Sequence, residues 1–164
     1  MEQFCCCPAA DSENVGTTYR CSTCDTAGTA VDLLTVKSLL VEHALRRLAA
    51  TDYRFCADAG CEVVYFDSNG HTFTTTDVRV PVWQKQPVGK RMVCYFFDEN
   101  EAAIRIEIEQ HGHSKAVERV RSHIDAGRCA CDVRNPRGSC CLGDVMAAVK
   151  CVTSAAAQAS QSTR

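Results

Sequence analysis

No run in this chain approaches the roughly 18 consecutive apolar residues of a membrane span, so membrane insertion is not expected. The opening M-E-Q-F-C-C-C-P has no basic region and no apolar core, and it does not read as a secretory signal. Net charge is nearly absent: 18 basic against 20 acidic residues leave a formal −2. That balance gives no electrostatic footing for nucleic acid or an anionic membrane surface. No glycine-rich phosphate loop and no Ser-His-Asp arrangement is visible. Glu107 and Glu109 read as a solvated helix face rather than as a catalytic acid and base. An enzyme in the usual sense is therefore not expected.

What the chain has in excess is cysteine, thirteen of 164 residues. The count is odd and no secretory signal accompanies it. A cytoplasmic protein whose thiols bind metal, rather than each other, is the economical expectation. Hydrophobic residues make up 46% of the chain, enough for a packed core in one domain or two small ones.

The thiols fall into groups. Cys21-S-T-Cys24 is a C-x2-C knuckle, and no βαβ pattern surrounds it to suggest a thioredoxin-like redox site. Cys56-A-D-A-G-Cys61 is a second knuckle that runs into a β-rich stretch, V-V-Y-F, followed by an Asn69-Gly70 turn. Two cysteine pairs, the second leading into a hairpin, make the pattern of a structural zinc site with four thiolate ligands. A segment of this size has little core of its own, and zinc would supply the missing stability. The stretch C-A-C-D-V-R-N-P-R-G-S-C-C places Cys129, Cys131, Cys140 and Cys141 around an Asn-Pro-Arg-Gly turn. The following L-G-D-V-M-A-A-V-K reads as a helix, whose N–H groups and dipole stabilise thiolates at its start. Thiols gathered in this way suit an iron–sulfur cluster. Cys5, Cys6 and Cys7 form a third group in a polar, flexible tail, a candidate for capture of a soft ion such as Cu(I).

The rest supplies a frame. Residues 34–49 carry helical periodicity, with Thr35 as N-cap and Val36, Leu40, Ala44 and Leu48 on one stripe. His43 beside that stripe reads as a surface or core-edge residue. Residues 81–92, with two prolines and no clear period, read as a linker. Asp98 and Glu101 stand in capping-box positions for a helix over A-A-I-R-I-E-I-E, although its isoleucines also alternate like a strand. His111 and His113 fall in a solvated loop. Ser114 caps a further helix that ends at Gly127. The fold class expected is α+β: a small zinc-stabilised hairpin-plus-helix module over residues 18–88, then a small helical cluster-binding module over 89–152. Tails over 1–17 and 153–164 flank them, the second disordered.

The strings F-C-A-D-A-G-C-E-V-V-Y-F, V-C-Y-F-F and C-D-V-R-N-P-R-G-S-C-C resemble, in that order, the N-terminal domain of CopZ-type copper metallochaperones. The resemblance covers most of residues 18–150. It implies one zinc, held by Cys21, Cys24, Cys56 and Cys61, and one 2Fe–2S cluster. Cluster ligands implied are Cys94, Cys131 and one of Cys140 and Cys141, with Cys141 preferred. The family carries C-x-C in the first cluster segment, and Phe96 stands here where its second cysteine would be. Phenylalanine cannot ligate iron, so a fourth ligand is required from elsewhere, with Cys129 the first candidate and Cys140 the second. Fuller members of the family append a ferredoxin-like copper-carrying domain with an M-x-C-x-x-C motif. That motif is not found in these residues, so copper transfer is inherited only weakly.

Three functions follow as expectations. One is metal handling, with structural zinc, a 2Fe–2S centre, and trafficking or reduction of copper or another thiophilic heavy metal. Its partner would be a metal-transporting ATPase or another metal-handling protein. The second is a 2Fe–2S electron-transfer partner. The third is a purely structural zinc module lacking a cluster, which Phe96 favours.

Overall fold

The computed structural model describes residues 19–161. Cys5, Cys6 and Cys7 lie outside the described residues. The chain divides into two compact units, each made from two segments. One takes the described residues through Gln86 together with Ala130–Ser139. The other takes Pro87–Cys129 and the chain from Cys140.

The first unit is built on a four-stranded antiparallel sheet in the order β1-β2-β3-β4. Its strands are β1 (Thr29–Val31), β2 (Tyr53–Phe55), β3 (Val63–Phe66) and β4 (Thr72–Thr74). The register sets Thr29 opposite Phe55, Arg54 opposite Phe66 and Tyr65 opposite Phe73. All four residues of β3 are buried, which explains why its sequence is a continuous apolar run rather than an alternation. The hairpin expected at Asn69-Gly70 is present. Gly70 takes φ 89°, and the Asp67 carboxylate accepts the Asn69 and His71 N–H groups across the turn. Strands β1 and β2 were not anticipated, because three residues are too few to show a period.

The helix expected over 34–49 is two short ones, α1 (Leu33–Leu39) and α2 (Glu42–Leu45). The cap is Asp32, whose carboxylate accepts the Leu34 N–H at 2.6 Å; Thr35 is buried in the first turn. Helix α1 ends because Leu40 turns extended and bridges to Val78. The Arg79 guanidinium then takes the Leu40 carbonyl, and the Arg79 N–H takes that of Leu39. The apolar stripe still reaches the core: Val36, Leu39, Leu40 and Ala44 are all buried with Tyr53, Phe55, Tyr65 and Phe73.

Residues 130–139 join this unit rather than the second one, which corrects the linear division into 18–88 and 89–152. They comprise α5 (Cys131–Arg134) and the Asn135–Gly138 turn, closed by Gly138 N–H to the Asn135 carbonyl at 2.8 Å. The buried Tyr65 hydroxyl donates to the Pro136 carbonyl at 2.8 Å. A Cβ on Gly138, which has φ 70°, would stand 2.9 Å from the Thr35 hydroxyl, so glycine is required there twice over.

The second unit contains β5 (Met92–Cys94) paired with β6 (Glu99–Asn100), then α3 (Glu101–His111), α4 (Ala116–Asp125) and α6 (Leu142–Gln161). Helix α3 settles the ambiguous isoleucines: Ile104 and Ile108 are buried and Ile106 is exposed, as a helical period requires. Its cap is Asn100, which accepts the Ala103 N–H. Asp98, expected in that role, takes a left-handed turn conformation with φ 58°. Glu101 accepts backbone N–H groups of Gly89 and Arg91. Glu107 is not a solvated helix face. Arg119 binds Glu99 through two nitrogens at 2.7 and 2.9 Å and Glu107 at 2.6 Å, and Ser114 also donates to Glu107. Helix α6 continues well past residue 152, where disorder was expected. Val145, Ala148 and Val152 hold one face, and the alanines beyond are the strongest helix formers. The architecture is α+β, and no helix among the described residues is long and apolar enough to cross a membrane.

Candidate metal centre

The first knuckle is a tight hairpin. Arg20 bridges to Ala27, Cys21 N–H reaches the Thr26 carbonyl at 3.0 Å, and Asp25 N–H reaches the Cys21 carbonyl at 2.8 Å. Asp25 takes φ 58° to close the turn. The second knuckle leaves β2 at Cys56, whose N–H still pairs with the Val64 carbonyl at 2.9 Å. It turns through Asp58, whose carboxylate accepts the Gly60 N–H, and returns at Cys61, leading into β3. The sheet therefore holds both arms of the second knuckle at the end of one hairpin. Gly28 lets the first knuckle approach: a Cβ there would fall 2.4 Å from the Phe66 ring and 2.6 Å from the Arg54 Cβ.

The four sulfurs of Cys21, Cys24, Cys56 and Cys61 all lie within 4.8 Å of one another. Cys21 Sγ is 3.8 Å from Cys61 Sγ, and Cys24 Sγ is 3.5 Å from Cys56 Sγ. A tetrahedral zinc with Zn–S bonds of about 2.3 Å requires sulfurs about 3.8 Å apart. The Cys21–Cys61 pair at 3.8 Å meets that spacing, and the Cys24–Cys56 pair at 3.5 Å comes close to it. Cys56 is fully buried, Cys21 and Cys61 are 2% and 5% exposed, and Cys24 is half-buried. Val63 and Phe66 complete a small cluster around the buried thiols, separate from the main core.

The electrostatics differ from thiol to thiol. The Thr26 side chain, above all, draws the Cys24 thiol down to about 7 against the effect of burial. Burial pushes Cys56 up to about 12, and it raises Cys61 as well. Backbone N–H groups of Thr26, Asp58 and Val63 point at the sulfurs of Cys24, Cys56 and Cys61 and favour their thiolates. Buried thiols close together resist ionising in the absence of a cation. A divalent ion that binds thiolate sulfur removes that conflict, since coordination deprotonates the thiol outright.

In the second unit Cys94 closes β5 and Cys141 precedes α6, where its carbonyl accepts the Val145 N–H at 3.0 Å. Their sulfurs are 3.0 Å apart, with the Cys141 thiol donating, and both residues are buried. Cys129 and Cys140 belong to the same unit and are half-buried, whereas Cys131 is buried in the first unit. Phe96, at the position of the family's second cysteine, packs edge-on against Phe97 at 4.6 Å. Phe97 in turn stacks on His123 at 4.0 Å. His113 is exposed on the loop after α3, as expected, whereas His111, also exposed, is the last residue of that helix rather than part of the loop. His43 is a surface residue that pairs with the buried Asp77 at 3.2 Å. Sequence reasoning missed Lys85, whose ammonium donates to the carbonyls of Asp58 and Cys61, each at 2.8 Å. It sits in a stretch with no period, and nothing in its spacing points to a knuckle more than twenty residues earlier.

A family described as a zinc binding domain of the CopZ type matches residues 18–79, the span that holds all four of the grouped thiols. The copper chaperone CopZ of Archaeoglobus fulgidus is 33% identical over 123 residues, covering 74% of this chain and 57% of that protein. The chain thus spans little more than half the length of that relative. The X-ray structure of the Archaeoglobus fulgidus CopZ N-terminal domain matches with a TM-score of 0.62 at 33% identity, over 75% of this chain and 92% of the other. Shared sequence, shared fold and a four-thiol group within the matched zinc-binding segment lead to one conclusion: this chain belongs to the family of the CopZ N-terminal domain.

Proposed function

We propose that this chain is a metal-handling protein of the cytoplasm that holds zinc on Cys21, Cys24, Cys56 and Cys61 and serves the traffic of copper or another thiophilic metal. The observation that carries the proposal is the four-sulfur group, with paired distances of 3.8 and 3.5 Å and three buried members. The relative's description as a copper chaperone supports the copper assignment. The acceptor would be a metal-transporting ATPase or a similar metal-handling protein. The chain acts as a carrier rather than an enzyme. Cys5–Cys7 remain the sequence's own candidate for capturing a soft ion such as Cu(I).

A 2Fe–2S cluster belongs to the same proposal. The chemistry of the donor set fits it in part: Cys94 and Cys141 present two buried sulfurs in contact. Cys131 is the third ligand by family resemblance, and Cys129 or Cys140 replaces the one lost at Phe96. When bound, such a cluster supplies one-electron chemistry. The chain's residues contribute thiolates, and the start of α6 contributes backbone N–H groups and a favourable dipole beside Cys141.

The test is the visible spectrum of anaerobically purified protein, with iron, sulfide, zinc and copper counted on the same sample. A red-brown protein with two irons, two sulfides and one zinc per chain is the expected result. A colourless protein with zinc alone would remove the cluster and leave a structural zinc module, the reading that Phe96 favours. A protein without zinc would overturn the assignment of the four thiols.

A further inference from the structure

Four thiolates around one divalent ion make a dianionic centre, and a dianion held among buried groups is costly unless positive charge or N–H donors stand near it. Thr26, Asp58 and Val63 supply N–H donors. Lys85 is a cation that donates to this knuckle. Its ammonium spans the second knuckle, bonding the Asp58 carbonyl inside the loop and the Cys61 carbonyl at its end, both at 2.8 Å. Lys85 lies beyond residues 18–79, the span matched by the zinc-binding family. It stands on a single 3-10 turn, Trp83–Lys85, anchored by its own N–H to the Val82 carbonyl at 2.9 Å. Val82 is buried in the main core, so this turn ties the knuckle to the rest of the unit.

We propose that Lys85 is a positioning residue of the zinc centre: it fixes the Cys56–Cys61 loop in its closed form and compensates part of the centre's negative charge. The inference rests on the assignment of zinc to Cys21, Cys24, Cys56 and Cys61. Partners of this kind around metal ligands change metal affinity by about 10- to 100-fold when removed.

The experiment measures zinc affinity of the full chain by competition with a chromophoric chelator, for wild type, Lys85→Met and Lys85→Arg. Methionine keeps the length of the stem and removes the charge, whereas arginine keeps the charge and the donors. Lys85→Met is expected to weaken zinc binding by about 10-fold or more, and Lys85→Arg to recover most of that loss. Unchanged affinity in Lys85→Met overturns the proposal, as does an equal loss in both variants, which would mark a packing role only. A wild-type chain that binds no zinc at the four cysteines overturns the zinc assignment and this inference together. Acetylation of the wild-type protein provides a second reading should either variant fail to fold. With zinc bound, Lys85 is expected to react at least tenfold more slowly than the exposed Lys90, and to lose that protection when zinc is removed. Equal rates for the two lysines with zinc bound would refute the assigned contact.

Discussion

Removing zinc is expected to open the knuckle end of the first unit while its sheet survives. The cysteines pack with Val63 and Phe66 in a small cluster. The main core is a separate set of twelve buried side chains, from Val31 to Val82, drawn from α1, α2 and all four strands. Burying one large apolar side chain is worth about 1.5–3 kcal/mol. The knuckle cluster has two such residues, too few to hold the loops over 19–28 and 56–62 once four unligated thiols replace a coordinated ion. The main core loses nothing directly. The assay is amide hydrogen exchange read by mass spectrometry, before and after a strong chelator, under reducing conditions. Exchange should rise by at least about tenfold, equivalent to about 1.4 kcal/mol of local opening, at the amides of Cys21, Asp25 and Cys61, which bond only within the knuckles. Amides of β2 and β3 paired at Phe55 and Tyr65 should keep their protection. Two results would refute this reasoning. Loss of protection across the whole unit in one step would mean that the core cannot stand without metal, as the sequence alone suggests. Unchanged exchange at the knuckles would mean that the four thiols hold no ion that matters to folding.

Three further perturbations address other parts of the fold. Gly28→Ala forces a methyl group to within 2.6 Å of Arg54 Cβ and 2.4 Å of the Phe66 ring; it should cost about 1–3 kcal/mol in chemical denaturation, and a neutral result would mean that the hairpin shifts freely. For Asp67, burial pushes the carboxyl up, but bonds from the His71 ring, the Thr51 hydroxyl and two backbone N–H groups outweigh it and hold it below the usual carboxylate range. Its folded pKa is therefore below the unfolded value, so its stabilisation is present above about pH 4 and is lost as pH falls through the folded pKa. Asp67→Asn should cost about 1.5–3 kcal/mol at pH 7, and the gap to wild type in urea melts should close at acid pH; a pH-independent gap would refute the ionic account. In the second unit Glu99→Gln breaks the paired bonds to Arg119 at a site only 6% exposed. A loss of about 1–3 kcal/mol is expected, with no change in zinc content.

Features that depend on spacing along a few residues were visible in the sequence. The two knuckles needed only their C-x2-C and C-x4-C intervals, and the hairpin after Cys61 needed only a β-branched run and Asn-Gly. The α3 isoleucines were resolved correctly because cap-like residues and an alanine pair outweighed an alternation of three. Features that depend on tertiary bonds were not visible. Helix α1 has apolar residues at helical spacing straight through Leu40, yet the chain breaks there because Arg79 and Val78 claim the backbone of Leu39 and Leu40. Glu107 looked solvated because its partners Ser114 and Arg119 come from the next turn and helix.

The Asn135–Gly138 turn shows the same limit. Local sequence specified the turn correctly, yet its carbonyl at Pro136 is claimed by Tyr65, seventy-one positions earlier. That bond and the close approach of Gly138 to Thr35 hold the turn against β3 and α1, within the unit that contains residues 130–139. The candidate zinc thiols are gathered by tertiary pairing too: Cys21 and Cys61 are forty positions apart, yet two antiparallel pairings, β1 with β2 and β2 with β3, bring their knuckles together. For these four thiols the sheet, rather than proximity in sequence, brings the sulfurs within 4.8 Å of one another.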